Sequence, residues 1–149
     1  MQKCNLICAL LILLAVLASC GSGAEPSSEK SKGEDSEVVI KRRDDGTRSS
    51  INPVDEDGYI HGVKTNFYED GKTVHSRVTY VHGKKHGAAM WYYKNGQVHE
   101  HTNFTDGHKH GLTKKYYENG ALMEELTYEK GEVLPESVKK YKRDGSLKN

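Results

Sequence analysis

From Gly71 to Gly131 apolar and polar residues alternate with a period of two, interrupted at regular intervals by glycine. Counting back from Gly83, Gly107 and Gly131 gives three series: Tyr80, Val78, Ser76, Val74; Phe104, Thr102, Glu100, Val98; and Tyr128, Leu126, Glu124, Leu122. The residues between them are mostly polar, among them His75, Arg77, His99, His101 and Glu125. Such alternation places one face of an antiparallel strand on a core and the other in water. Each run follows an aromatic pair across an Asp-Gly or Asn-Gly step: Phe67-Tyr68, Tyr92-Tyr93 and Tyr116-Tyr117. The pattern predicts strands near 63–69, 73–81, 88–94, 98–105, 112–118 and 122–129, with weaker ones near 37–44 and 137–143.

The glycines make this a repeat. The twelve from Gly46 onward fall on three interleaved series spaced by 24 or 25 residues: Gly46, Gly71, Gly96, Gly120 and Gly145; Gly58, Gly83, Gly107 and Gly131; Gly62, Gly87 and Gly111. Self-similarity at such a period marks a repeat architecture. Asp or Asn precedes every glycine of the first series, which reads as a hairpin with a two-residue type I′ turn. That turn sets Tyr93 opposite Val98 and Tyr117 opposite Leu122. The extra residue between Gly71 and Gly83 reads as a bulge or longer turn that brings Tyr68 opposite Val74. The second and third glycines, four apart, reverse the chain again without a helix. The expected fold is all-β, an elongated antiparallel meander of repeated β-hairpins with about 24–25 residues per repeat. The end units are degenerate: Arg42-Arg43 stands where the aromatic pair belongs, and Pro135 fills a glycine slot. Terminal repeats must face water, so such decay is expected there.

The N-terminus has a different character. Leu6 to Ala18 is an apolar run behind Lys3. As a helix it would span about 20 Å, short of the roughly 30 Å hydrocarbon core, so it reads as a signal segment over residues 1–19. Leu17-Ala18-Ser19-Cys20 resembles the lipobox of bacterial lipoproteins, which implies lipid attachment at Cys20; ordinary secretory cleavage near Ala18 is the rival reading. Cys4 and Cys8 leave with the signal, so Cys20 has no intramolecular disulfide partner. Residues 20–36 are rich in Gly, Ser, Glu and Lys and read as an anchor and flexible tether; residues 37–149 form the repeat domain. The expected location is a bacterial cell envelope, with the membrane reached through the lipid.

Composition then narrows the function. Lys and Arg number 22 against 21 Asp and Glu, which leaves no basic stripe for nucleic acid. From Cys20 onward only 20 residues are Leu, Ile, Val or Phe, so the twelve aromatics between Tyr59 and Tyr141 must supply much of the apolar bulk.

The pattern Gly-x5-Tyr-Tyr-x-Asn-Gly, an alternating strand, then an aromatic, two residues and Gly resembles the bacterial variant of the MORN repeat, most clearly from Gly87 to Gly107 and from Gly111 to Gly131. It is similar to members often described as YwqK-type antitoxins. The resemblance implies a β meander with a non-catalytic, protein-binding role, possible as antitoxin or immunity factor.

Individual residues fit a binder better than an enzyme. No nucleophile elbow, phosphate loop or Cys/His pair is present in the mature sequence, and no cofactor is expected. Glu100 and Glu124 recur at repeat spacing, where a cross-strand lysine such as Lys115 opposite Glu124 accounts for them. All eight histidines lie between His61 and His110; His61, His86 and His110 each precede a glycine of the third series, so the histidines read as repeat frame and no metal site is expected. The candidate partner-binding residues are Phe67, Trp91, Tyr92 and Tyr116, beside His99 and Met123, because Tyr and Trp carry much interface energy. The partner expected is another protein; the alternative is an envelope structural module touching glycan or lipid headgroups.

Overall fold

The computed structural model describes residues 29–33 and 36–148. The signal segment, Cys20 and the first part of the tether lie outside the described residues. The fold is the expected all-β meander, and the described residues contain no α-helix. Strand β1 (Glu29–Gly33) pairs with β2 (Ser36–Arg42), so part of the segment whose composition reads as tether is a strand. The chain continues through β3 (Arg48–Val54), β4 (Gly62–Phe67), β5 (Val74–Val81), β6 (Lys84–Tyr92) and β7 (Val98–Thr105). After the short β8 (His108–Lys109) come β9 (Gly111–Tyr116), β10 (Leu122–Glu129), β11 (Glu132–Val133) and β12 (Lys139–Lys140). All are antiparallel members of one sheet whose order follows the sequence, except that β8 pairs with β7, and β12 with β10. Pro135 opens a 3-10 turn, Pro135–Ser137, where the earlier units have their third glycine.

The turn chemistry is the reverse of the expectation. At Asn95-Gly96 only Gly96 has positive φ; its N–H donates to the Tyr93 carbonyl, and the Tyr93 N–H donates to the Gln97 carbonyl. This is a type I turn closed by a left-handed glycine and a bulge, and Gly46, Gly120 and Gly145 repeat its hydrogen bonds. Asp or Asn precedes the glycine because its side chain accepts a backbone N–H two residues on: Asp45 from Thr47, Asn95 from Gln97, Asn119 from Ala121 and Asp144 from Ser146. Asp70 accepts two, from Lys72 and Thr73, as well as the Thr73 hydroxyl, and these bonds hold its carboxyl down to about 2. The extra residue of that unit therefore sits in the turn. The two-residue type I′ turns lie in the connectors instead, where His82-Gly83, Asp106-Gly107 and Lys130-Gly131 all have positive φ.

This exchange shifts the register. Phe67, not Tyr68, lies opposite Val74; Tyr92, not Tyr93, opposite Val98; and Tyr116, not Tyr117, opposite Leu122. Just beyond each pair the return strand carries one extra residue: His75, His99 or Met123. A bulge of this kind re-aims the side chains around it.

The second aromatic of each pair binds the units together. The Tyr68 hydroxyl donates to the Tyr92 carbonyl at 2.6 Å, Tyr93 to Tyr116 at 2.8 Å and Tyr117 to Tyr141 at 2.8 Å. In the first unit Arg43 occupies the same place, its guanidinium donating to the Phe67 carbonyl at 3.0 Å. What reads in sequence as a degenerate slot keeps its donor.

A single sheet has little to bury against. The buried apolar residues are Val54, Val78, Ala89, Phe104 and Leu126, accompanied by Ser50, Asn52, Ser76, Thr102 and Thr113. Val78, Ala89 and Phe104 form one cluster, against which Tyr80 and Trp91 pack. Hydroxyl and amide bonds complete this core face, including Asn66 to Ser76 at 2.9 Å and the Thr102–Thr113 pair. Glu100, Lys115 and Glu124 continue it as a charged row: Lys109 bonds Glu100 at 2.5 Å, and Lys115 bonds Glu124 at 2.7 Å, as the spacing predicts.

Gly71 illustrates how tightly the turns dock. Its φ is +65°, and a Cβ there would stand 2.9 Å from the Arg48 backbone nitrogen and 3.0 Å from the Thr47 Cβ. A left-handed non-glycine residue costs about 1–2 kcal/mol, and displacing backbone adds to that. Gly71→Ala is expected to destabilise the protein by about 2–4 kcal/mol in urea unfolding. At Gly96 (φ +85°) nothing lies within 4 Å of such a Cβ, so Gly96→Ala is expected to show the conformational cost alone. Equal losses for the two variants would contradict the docking of the Gly71 turn on Thr47 and Arg48.

Candidate functional site

The bulges redistribute the candidate residues between the two faces. Along β4, β6 and β9 the face opposite the core carries Val63-Thr65-Phe67, Ala88-Met90-Tyr92 and Leu112-Lys114-Tyr116, each set at a spacing of two. Phe67, Tyr92 and Tyr116 thus share a face, as the sequence predicts. Each is half-buried, and Val63 and Leu112 in the same columns are 50% and 47% exposed.

Trp91 is not part of this face. It alternates with Met90 and Tyr92, stands opposite Ser76 and Glu100, and packs on the Val78–Ala89–Phe104 cluster with its ring 6.5 Å from that of Phe104. His99 also leaves the predicted set. As the extra residue at the bulge it turns onto Tyr93, edge to face at 4.8 Å, and His75 meets Tyr68 in the same way at 4.9 Å. Met123 holds the corresponding bulge position opposite β9, and its carbonyl accepts the Tyr141 N–H. Strict alternation missed these shifts because one inserted residue exchanges the faces of everything before it.

In place of His99 and Met123 the structure brings in Met90, Val98 and His101. With Gln97, Tyr116 and Gly120 they line a hollow of about 280 Å³ between adjacent units. Val98 and His101 are three residues apart, a separation that reaches one face only across a bulge. Tyr92 touches one of the lining residues, its hydroxyl 3.3 Å from the Met90 sulfur. Beyond it Lys114 pairs with Glu125 at 3.1 Å, and Tyr141 donates to the same carboxylate. The hydrogen bond from Lys114 is the main cause that lowers the Glu125 pKa, and it raises that of Lys114 in turn. On the core face burial lowers the pKa of Lys64, with smaller contributions from Lys41 and Lys85. Glu100 and Glu124, the carboxylates that could have been an acid pair, are each engaged by lysine.

The surface offers apolar columns, a shallow hollow between repeats and paired charges, which suit recognition of a second surface. Neither a curated protein nor a solved structure matches the chain. Residues 85–106 and 109–130 each match the MORN repeat variant, and these stretches cover the hairpin β6–β7 from its second residue and the whole of β9–β10. The β4–β5 hairpin has the same paired register and the same bulge. The chain is therefore a β-hairpin repeat protein whose two central units are similar to the MORN repeat variant.

Proposed function

We propose that the protein is a non-catalytic binding module, held at a bacterial cell envelope by acyl chains on Cys20, that engages another protein through the face opposite its core. The observation that carries this reading is the alignment of Val63, Phe67, Ala88, Met90, Tyr92, Leu112 and Tyr116 on that face, with no second layer covering them among the described residues. Aromatic and Met side chains around a small hollow are the composition of an interface centre. The resemblance to antitoxin-type members makes an immunity role, neutralising an exported toxin at the surface, the specific form favoured here.

The test compares the full chain with a Tyr92→Ala/Tyr116→Ala variant as bait in detergent extracts. Both backbone carbonyls of the tyrosine ladder survive these changes, so the sheet is retained. The expected result is a stoichiometric protein partner whose affinity falls by at least about tenfold in the variant. Retention of both forms on peptidoglycan or lipid vesicles, with no protein partner, would replace this reading with that of an envelope structural module.

A further inference from the structure

The first connector departs from the repeat, and chemistry-bearing side chains gather there. Later units join their hairpins with two-residue type I′ turns; the first instead uses Asp55-Glu56-Asp57-Gly58, where the Gly58 N–H donates to the Asp55 carbonyl and the Asp55 N–H to that of Tyr59. This longer turn carries three carboxylates, Asp55, Glu56 and Asp57, where each later two-residue turn carries one or none. Its neighbour in space is the His82-Gly83 turn, where His82 holds a left-handed conformation (φ +46°). The Gly83 N–H donates to the Ile60 carbonyl at 2.8 Å, and the His61 N–H donates to that of Pro53 at 2.9 Å, so the three segments are pinned through their backbones.

The side chains converge on one oxygen. Asp55 Oδ1 accepts the Tyr59 N–H at 2.8 Å, which fixes the carboxylate and leaves Oδ2 facing two imidazoles. His82 Nδ1 stands 2.8 Å and His61 Nδ1 3.8 Å from that oxygen. Asp57 completes the group: ligand atoms of Asp55, Asp57 and His82 all lie within 4.8 Å of one another. The Tyr59 ring, 4.3 Å from the His82 ring, braces the imidazole.

We infer that Asp55, Asp57, His61 and His82 form a binding site for a borderline divalent transition-metal ion, with Zn²⁺ as the ion of best fit. Two imidazoles with one or two carboxylates are a donor set that Zn²⁺ accepts in tetrahedral geometry, whereas Mg²⁺ and Ca²⁺ favour oxygen alone. Ligand atoms about 2.0–2.1 Å from zinc lie roughly 3.4 Å apart, so small side-chain rotations bring those of Asp55, Asp57 and His82, already within 4.8 Å of one another, around an ion. His61, 3.8 Å from Asp55, is the fourth donor. The second aspartate oxygen, bonded to the Tyr59 N–H, orients the ligand as outer-shell partners do. The site is separate from the aromatic face and does not depend on the partner proposed for it.

The test titrates the full chain, prepared without a histidine tag, with Zn²⁺ in a calorimeter and follows its melting temperature. The expected result is one tight equivalent and a melting temperature that rises with Zn²⁺. His82→Ala and Asp55→Asn should each weaken binding by at least about tenfold and abolish the thermal shift. Asn at position 55 can still accept the Tyr59 N–H, and an unchanged far-ultraviolet circular dichroism spectrum would show that the fold survives. A His99→Ala/His101→Ala variant should bind as the parent does. Absence of binding below millimolar Zn²⁺, or binding that survives both His82→Ala and Asp55→Asn, would overturn the assignment.

Discussion

Phe104→Ala is expected to lower unfolding stability by about 3–5 kcal/mol, measured by urea or guanidinium titration of the full chain. Phe104 is 7% exposed, opposes Gly87 across the ladder, and completes the cluster of Val78 and Ala89. The Lys85 ammonium lies 5.0 Å from its ring centroid and the Trp91 ring 6.5 Å away, so truncation also removes a cation–π contact and an aromatic neighbour. The cost depends on how far a site can collapse around the space left behind. Here collapse is limited, because the cluster is spread over one sheet whose strands are fixed by their hydrogen bonds. Against a typical total of about 5–15 kcal/mol, a loss of this size leaves a substantial unfolded population. Leu112→Ala, by contrast, removes a side chain that is 47% exposed, and its expected effect is within about 0.5 kcal/mol. A Phe104→Ala loss below about 1 kcal/mol would mean that this cluster is not the centre of stability.

Cys20→Ala is expected to move the protein from the membrane fraction to the soluble fraction, read by fractionation of cells expressing each form. Among the described residues no helix is long and apolar enough to cross a membrane, and the run Leu6 to Ala18 is short for that purpose. The anchor proposed is lipid because Leu17-Ala18-Ser19-Cys20 resembles a lipobox. Each buried CH₂ contributes about 0.8 kcal/mol, and more than one acyl chain is needed for durable attachment. Removing the thiol removes every chain attached to it, so the effect should be nearly complete. Membrane retention equal to that of the parent would exclude lipidation at Cys20 as the anchor.

Much of the architecture was legible because the signals are local. A strand needs alternation, a reversal needs a glycine at positive φ, and both recur here at a period the chain displays openly. The Lys115–Glu124 pair followed from the same spacing. The placement of Phe67, Tyr92 and Tyr116 on one face was also legible, since the extra residue of each hairpin falls on the return strand and not beside them. That His99 and Met123 fall at bulges was not legible, because Asp/Asn-Gly serves two turn types and the one adopted adds a residue to the return strand.

By itself, the sequence determined the all-β class, the repeat of 24–25 residues, the order of strands and the positions of the turns, because each depends on the backbone preferences of a few neighbouring residues. Only the tertiary structure decided which turn each glycine closes, where the bulges fall and which side chains meet across units. Register is a cooperative property of two paired strands, and a slip of one residue reverses the faces. The same holds for Arg43 standing in the tyrosine ladder and for Asp55 meeting His61 and His82: the groups come from different turns, and only the folded ribbon sets them within bonding distance.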